Sequence, residues 1–289
     1  MDRAGLLSIV PLKRDWTTLS PKSSTGTVNV MSSAEKGAGL AVLDCESYES
    51  SIESICDIYR ITSDLVIAFL SEIVLEEEYE AAPTSQGIDY FLKSIFDARF
   101  GEPVEPLKSV SWFHLTRVPS GTNFSEGILP LHLAKERVWE TVIAIPFNQQ
   151  IRLRLENMRK NGVDDFQYNL KINDRLHSGP YAMLVRESAF HAKTIGNWDY
   201  LDLPEIIADI CNGYEKEYGE SIRDEVSLSL APCIVKFKSM IVKYSQIAPV
   251  LYYCWCKANH KEFGRDVNYN FDGRGATIPS EVIQRIEFV

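Results

Sequence analysis

The hydrophobic pattern of this chain changes at Pro106, and that change limits the folds that the chain can adopt. Before Pro106, apolar residues recur at helical spacing in residues 46–80 and again in residues 86–98. After it, residues 109–118 follow the two-residue period of a β-strand, so that successive side chains fall on opposite faces of the strand. Because a run of helices precedes the strands, the pattern predicts an α+β fold.

We expect the chain to differ in structure on either side of this change. Residues 1–105 are predicted to form a flexible arm and a mostly helical region, since residues 11–41 are rich in Ser, Thr, Gly and Lys. Residues 106–289 are predicted to form an α+β domain. Within it, the pattern predicts helices at 133–143, 149–160 and 204–218, and strands at 180–185, 233–237, 250–256 and 283–289.

An acidic run closes the second predicted helix, at Glu76, Glu77, Glu78 and Glu80. The negative end of the helix dipole disfavours carboxylates, so we interpret this run as a solvated face. An acidic surface also suits a basic partner. The helical region is therefore a candidate surface for binding a protein.

Charge and composition exclude several classes of protein. The 289 residues include 30 Lys and Arg against 40 Asp and Glu, which gives a net charge of −10. The resulting pI of about 5.1 argues against broad electrostatic binding to nucleic acid. No stretch approaches the roughly 20 apolar residues of a membrane span, and six cysteines are too few for a disulfide scaffold. We expect a cytoplasmic protein with reduced thiols and no membrane association.

Several common site motifs are absent from the sequence. The chain has no P-loop, no complete dinucleotide-binding glycine motif, no Gly-x-Ser-x-Gly elbow and no His-Glu-x-x-His pair. Cys254, Cys256 and His260 fall short of a zinc site, because a fourth ligand and the usual spacing between thiols are both missing. We interpret the two cysteines as small apolar positions of a strand, and we expect no metal.

Three short motifs in residues 109–289 carry a family resemblance. The first predicted strand of this part ends with His114-Leu115-Thr116-Arg117, and Gly127-Ile128 follows after a loop. Near the end of the chain, Ile278-Pro279 precedes the last predicted strand. In their order, these motifs resemble the ADP-ribosyltransferase superfamily, whose members have a His-x-Thr strand, a Gly-Ile element and a strand after an Ile-Pro turn.

The resemblance implies NAD as a substrate and assigns roles to the residues of these motifs. His114 would bind a ribose hydroxyl, and Thr116 would support the end of its strand. Arg117 would meet the pyrophosphate, because a guanidinium binds phosphate oxygens in a bidentate way. Gly127 belongs to the Gly-Ile element near the cofactor, and Tyr181 is the candidate ring for packing on the nicotinamide.

The carboxylate of such a site is less well defined by the sequence. The family places a catalytic glutamate shortly before the Ile-Pro turn, but residues 263–279 contain no glutamate. Asp272 lies in that interval, and Glu187 closes the strand predicted to begin at Tyr181. These two residues are the candidates for stabilising the cationic sugar that forms as the glycosidic bond breaks.

Three functions stay open at this point. The first is ADP-ribosyl transfer from NAD to a protein or nucleic acid, as in a bacterial toxin or defence protein. The second is a non-enzymatic interaction or regulatory protein on a degenerate version of the same fold. The third is a nuclease or hydrolase that uses His177 or His191 near Asp174, Asp199 and Asp202.

Overall fold

A twelve-residue strand, Leu107–Val118, is the central element of the computed structural model, which describes residues 41–175 and 177–289. Both of its faces are buried between Ser109 and Phe113, so it lies inside a sheet. The strands of the sheet are β1 (Ala41–Leu43), β2 (Leu107–Val118), β3 (Tyr181–Met183), β4 (Ala231–Ser239), β5 (Asn270–Asp272) and β6 (Ile283–Phe288). Their order is β5-β3-β2-β4-β6, with β1 also on β2.

The register of the sheet places the motif His114–Arg117 near its centre. β2 and β4 pair antiparallel over nine positions, from Val110 with Ser239 to Val118 with Ala231. β1 runs parallel to the first half of β2, whereas β3 pairs antiparallel with β2 at Phe113 and Met183. The end of β2 that carries His114 therefore lies between β3 and β4.

Helices make up most of the rest of the described chain. They are α1 (Tyr48–Tyr59), α2 (Ser63–Glu72), α3 (Leu75–Ala81), α4 (Ile88–Phe100), α5 (Leu131–Ile143), α6 (Gln149–Asn161), α7 (Phe166–Asn173), α8 (Ala192–Ile195), α9 (Glu205–Tyr218), α10 (Arg223–Ser229) and α11 (Ile247–Ala258). Short 3₁₀ turns occupy Arg186–Phe190, Tyr244–Gln246, Arg265–Val267 and Ser280–Val282. The predicted α+β class is confirmed.

The buried side chains form two clusters. The larger one packs α1, α2, α4 and α11 against the sheet, and it includes Ile55, Phe96, Trp112 and Phe237. The smaller one joins α5, α6, α7, α9 and α10 around Trp139. Leu40–Val289 is one compact unit, and the larger cluster draws on residues from both sides of position 105. The division predicted there does not separate two cores.

A partly buried ion-pair network connects the segment after β1 to strands β4 and β6. Lys236 on β4 donates from Nζ to Asp44 and to Glu46, at 2.6 Å in each case. Burial opposes the charge of Lys236, but its hydrogen bonds to the two carboxylates outweigh burial and raise the pKa of its ammonium. Arg285 on β6 also pairs with Glu46. The network fixes the segment before α1 against two strands that lie far from it in the sequence.

The prediction of a strand at residues 250–256 was wrong, since these residues belong to helix α11 (Ile247–Ala258). Nine of its twelve residues are buried, so the helix is apolar on all sides and shows no helical periodicity in its sequence. Cys254 and Cys256 are both buried in the core, and burial raises the pKa of the Cys256 thiol to about 12. Two positions apart on a helix, they do not share a face.

The acidic run also lies elsewhere than predicted. α2 ends at Glu72, and α3 begins at Leu75, so Glu76, Glu77 and Glu78 are in the first turn of a helix. The dipole favours carboxylates at that end, and this is the opposite of the expected placement. The three side chains are exposed, and Lys261 pairs with Glu76.

Several elements agree with the sequence patterns, and others were not predicted. Helices α4, α5, α6 and α9 and strands β2, β3, β4 and β6 confirm predictions, and Gly162 caps α6. The short elements β1, β5, α7 and α10 were missed. The predicted arm, residues 11–41, lies outside the described residues apart from Ala41. In the described part of the chain, no helix is long and apolar enough to cross a bilayer.

Candidate functional site

A cleft of about 900 Å³ opens beside the end of β2. Its walls come from β2, β3, β5, the loop after β2, helix α5, the first turn of α9, and the loop after α8. Six of the seven residues that the sequence singled out line it, namely His114, Thr116, Arg117, Gly127, Tyr181 and Asp272. Glu187 is not among its lining residues.

His114 is half-buried and held in one tautomer. Its Nδ1 lies 2.7 Å from the carbonyl oxygen of Tyr181, and a carbonyl can only accept, so Nδ1 carries the proton. Burial lowers the pKa of His114, against the opposing effect of this hydrogen bond. The ring is therefore neutral at pH 7, and its Nε2 is left as a hydrogen-bond acceptor beside the cleft.

The Gly-Ile element and the Ile-Pro turn meet directly. The backbone N–H of Ile128 donates to the carbonyl of Ile278 at 2.9 Å, and the N–H of Ile278 donates to the carbonyl of Ile128 at 3.0 Å. Gly127 lies against this bridge with a φ of +80°, a conformation that favours glycine. Two motifs about 150 positions apart in the sequence are thus joined, and Gly127 and Ile128 of the first motif line the cleft.

Aromatic side chains line the cleft on several sides. Tyr181, on β3 opposite Asp272 of β5, has a 40% exposed side chain, and its hydroxyl donates to the carbonyl of His177 at 2.7 Å. Trp198 is 42% exposed, and its indole N–H donates to the carbonyl of Leu203 at 2.6 Å. These two rings combine fixed positions with open faces, so either can pack on a planar ligand. The sequence did not single out Trp198.

Arg117 makes its hydrogen bonds within the protein. Its guanidinium donates to the carbonyls of Leu201 at 3.0 Å, Asp202 at 2.8 Å and Leu230 at 3.1 Å, and to the hydroxyl of Ser227 at 3.0 Å. The residue therefore clamps the loop that carries Trp198 to the end of β2 and to the end of α10. These contacts give Arg117 a role that differs from the predicted grip on a pyrophosphate.

Replacing Arg117 with alanine is expected to lower the free energy of unfolding by about 1–3 kcal/mol, because the carbonyls of the loop lose a charged donor. Urea unfolding measures the change. Arg137→Ala is the matched control, since it breaks a pair with Glu126 whose side chains are 50% and 61% exposed. Such a pair contributes at most about 1 kcal/mol. Equal losses in the two variants would contradict the clamp.

Glu187 lies on the 3₁₀ turn after β3 and faces α11. It accepts from the hydroxyl of Tyr253 and from Nζ of Lys257, both at 2.7 Å. Burial works against its charge, but the hydrogen bonds from Lys257 and Tyr253 outweigh burial and hold the pKa of Glu187 below its ordinary value. The structure thus connects Glu187 to a helix of the core and does not bring it to His114.

The Glu187 contacts predict a pH effect on stability. A carboxyl with a lowered pKa in the folded state contributes stability that is present above its unfolded pKa of about 4.3 and is lost as the pH falls through the folded pKa. The stability of Glu187→Gln should therefore fall less steeply than that of the wild type as the pH is lowered below about 4.3. Thermal unfolding at a series of pH values measures this. Parallel curves for both proteins would be inconsistent with the assignment.

Carboxylates reach the cleft at three places. Asp272 on β5 is exposed, and its Oδ1 accepts from the backbone N–H of Arg274 at 2.8 Å. Glu126, in the loop before α5, pairs with Arg137 of that helix. Glu205 in the first turn of α9 is half-buried and was not predicted. Its only sequence signal is an acidic residue directly after Pro204, a pattern typical of any helix start.

The histidines considered for hydrolysis are in different environments. His177 lines the cleft, and its Nδ1 lies 2.8 Å from Oδ2 of Asp174. His191 packs against the ring of Phe263, with 4.7 Å between centroids. Within residues 41–175 and 177–289, no group of three His, Cys, Asp or Glu side chains is placed to hold a metal ion.

Comparisons with known proteins leave the site to be interpreted from its geometry. No family model, no curated protein and no solved structure matches this chain.

Proposed function

We propose that the cleft binds NAD and breaks its bond between nicotinamide and ribose, with transfer of ADP-ribose to a macromolecular acceptor. The observation that carries this proposal is the convergence of separate motifs. His114, Gly127, Tyr181 and Asp272 were singled out for one resemblance, and all of them line one cleft. A volume of about 900 Å³ is in the range of pockets that enclose a cofactor, about 300–1,000 Å³.

The neutral His114 supports the binding part of the proposal. Its Nε2 accepts a hydrogen bond from a ribose hydroxyl, while the Tyr181 carbonyl fixes the orientation of the ring. Because the hydrogen bond to Tyr181 couples the two residues, the position of the ribose is set relative to strand β3. The Tyr181 ring then offers its exposed face to the nicotinamide.

The chemical step follows from the charges. The bond between C1′ of the ribose and N1 of the nicotinamide breaks, and the electron pair leaves with nicotinamide, which becomes neutral. Positive charge develops on the ribose and is stabilised by a carboxylate of the cleft. An acceptor hydroxyl or amine then forms a bond to C1′ and releases its proton to that carboxylate or to water.

Binding of NAD can be tested by titration calorimetry on the full chain and on Ala134→Trp. Ala134 lines the cleft from α5, so an indole at this position fills part of it and should weaken NAD binding at least tenfold. Heat of binding in the wild type that disappears in Ala134→Trp supports the proposal. Binding of equal strength in both proteins would place NAD elsewhere and overturn it.

A further inference from the structure

Three carboxylates line the cleft, and they differ in how well each is placed to stabilise a ribosyl cation. Glu126 and Asp272 are both exposed. Glu126 is paired with the exposed Arg137, and Asp272 caps the turn at Arg274 from the three-residue strand β5. An exposed carboxylate is solvated by water, which weakens its interaction with a developing charge. Neither residue has the fixed, partly desolvated setting that electrostatic catalysis requires.

Glu205 has such a setting. Its Oε1 accepts from the hydroxyl of Tyr200 at 2.9 Å, and its Oε2 lies 3.0 Å from Nζ of Lys171. The side chain is 32% exposed and belongs to the first turn of α9, a helix of 14 residues. A carboxylate on a regular element, with each oxygen held by a separate donor, keeps one position as charge develops.

The cluster around Glu205 retains a negative charge. Lys171 bonds Glu205 and also Asp209, whose carboxylate lies 2.7 Å from Nζ. Burial opposes the charge of Lys171, but hydrogen bonds to Asp209 and Glu205 outweigh it and raise the pKa of its ammonium. Two carboxylates thus share one cation. The negative charge that remains attracts the positively charged pyridinium ring of NAD. It also stabilises the ribosyl cation that forms when the bond to this ring breaks.

Tyr181 connects this cluster to the proposed nicotinamide position. Burial raises the pKa of the Tyr181 hydroxyl, and the nearby carboxylates of Asp272, Asp174 and Glu205 add to the effect. Glu205 and Tyr181 both line the cleft, so the carboxylate and the ring that is proposed to pack on the nicotinamide border the same space.

We propose that Glu205 is the catalytic carboxylate of the reaction, a step that rests on the proposed function of the cleft. Its side chain stabilises the positive charge on the ribose as the bond from C1′ to N1 breaks and the electron pair leaves with nicotinamide. Tyr200 and Lys171 are positioning residues, which hold the two carboxylate oxygens. The role expected of Asp272 or Glu187 thereby passes to a helix start that the sequence did not single out.

The test measures nicotinamide release from NAD by the full chain and its variants. Glu205→Gln keeps the size of the side chain and removes its charge, so kcat should fall at least about 100-fold, with KM for NAD changed less than about threefold. Asp272→Asn should lose at most about tenfold in kcat. Glu215→Gln, an exposed residue of the same helix, is the matched control and should equal the wild type.

Tyr200→Phe is a second variant that does not depend on how Glu205→Gln folds. It removes one donor to Glu205 and should lower kcat by about tenfold with KM unchanged. Full kcat in Glu205→Gln, or a larger loss in Asp272→Asn than in Glu205→Gln, would overturn the inference and leave NAD cleavage standing. A Tyr200→Phe variant with the wild-type kcat would show that Tyr200 does not position Glu205, and would overturn the arrangement proposed for the Glu205 carboxylate. Absence of nicotinamide release from the wild type would overturn the proposed function, and the inference with it.

Discussion

Gly127→Ala is expected to lower the free energy of unfolding by about 3 kcal/mol or more. A Cβ on this residue would lie 2.1 Å from the carbonyl oxygen of Ile278 and 3.2 Å from the backbone nitrogen of Ser280. Both neighbours are backbone atoms, so the two chain segments must separate. The φ of +80° adds the cost of a conformation that alanine rarely adopts, about 1–2 kcal/mol.

Gly219→Ala separates the two contributions to this loss. Gly219, which caps α9 in the left-handed region, has a similar φ of +74°, but a Cβ there would meet nothing within 4 Å. Its substitution should cost only the conformational part, about 1–2 kcal/mol. Urea unfolding of both variants gives the difference, which we assign to the bridge between Ile128 and Ile278. Equal destabilisation of the two proteins would show that the bridge contributes nothing.

His114→Ala is expected to lower kcat/KM for nicotinamide release by about 100-fold while the fold is retained. The variant removes an acceptor for the ribose hydroxyl and also the ring that the Tyr181 carbonyl holds at 2.7 Å. Because burial lowers the pKa of His114, the wild-type ring should stay neutral, and the proposed release of nicotinamide should persist, to a pH below the ordinary value of 6.5.

His260→Ala is the matched control for that substitution. His260 is exposed and follows α11, away from the lining of the cleft, so its loss should change kcat/KM by less than about twofold. Steady-state release of nicotinamide and a thermal unfolding curve on each variant provide the comparison. A folded His114→Ala protein with wild-type kcat/KM would remove the histidine from the mechanism.

The fold could be predicted from the sequence where local patterns decide structure. Strand β2 alternates over its second half, and the helices α5, α6 and α9 have clear apolar stripes, so their types were correctly predicted. Helix α11 was taken for a strand because burial on all sides removes the periodicity on which such predictions depend. β1 and β5 have three residues each, too few for a pattern, and they exist because a neighbouring strand pairs with them.

The site could be predicted only in part, for a related reason. Motif order was enough to single out His114 and Gly127, and the resemblance suggested Tyr181 as the stacking ring; the structure brings all three to one cleft. The partners of Arg117 are three backbone carbonyls and one serine hydroxyl that lie 84 to 113 positions away, and no sequence motif encodes them. Glu205 depends on Tyr200 and on Lys171 from another helix. Contacts between distant segments thus decided which charged residues belong to the site.

Release of nicotinamide from NAD by the purified chain tests the central proposal most directly. The assay is run with and without cell lysate as a source of acceptors, and with His114→Ala beside the wild type. We expect release that depends on His114 and is faster when an acceptor is present. No release under either condition, together with no NAD binding by calorimetry, would contradict NAD cleavage and favour the interaction protein.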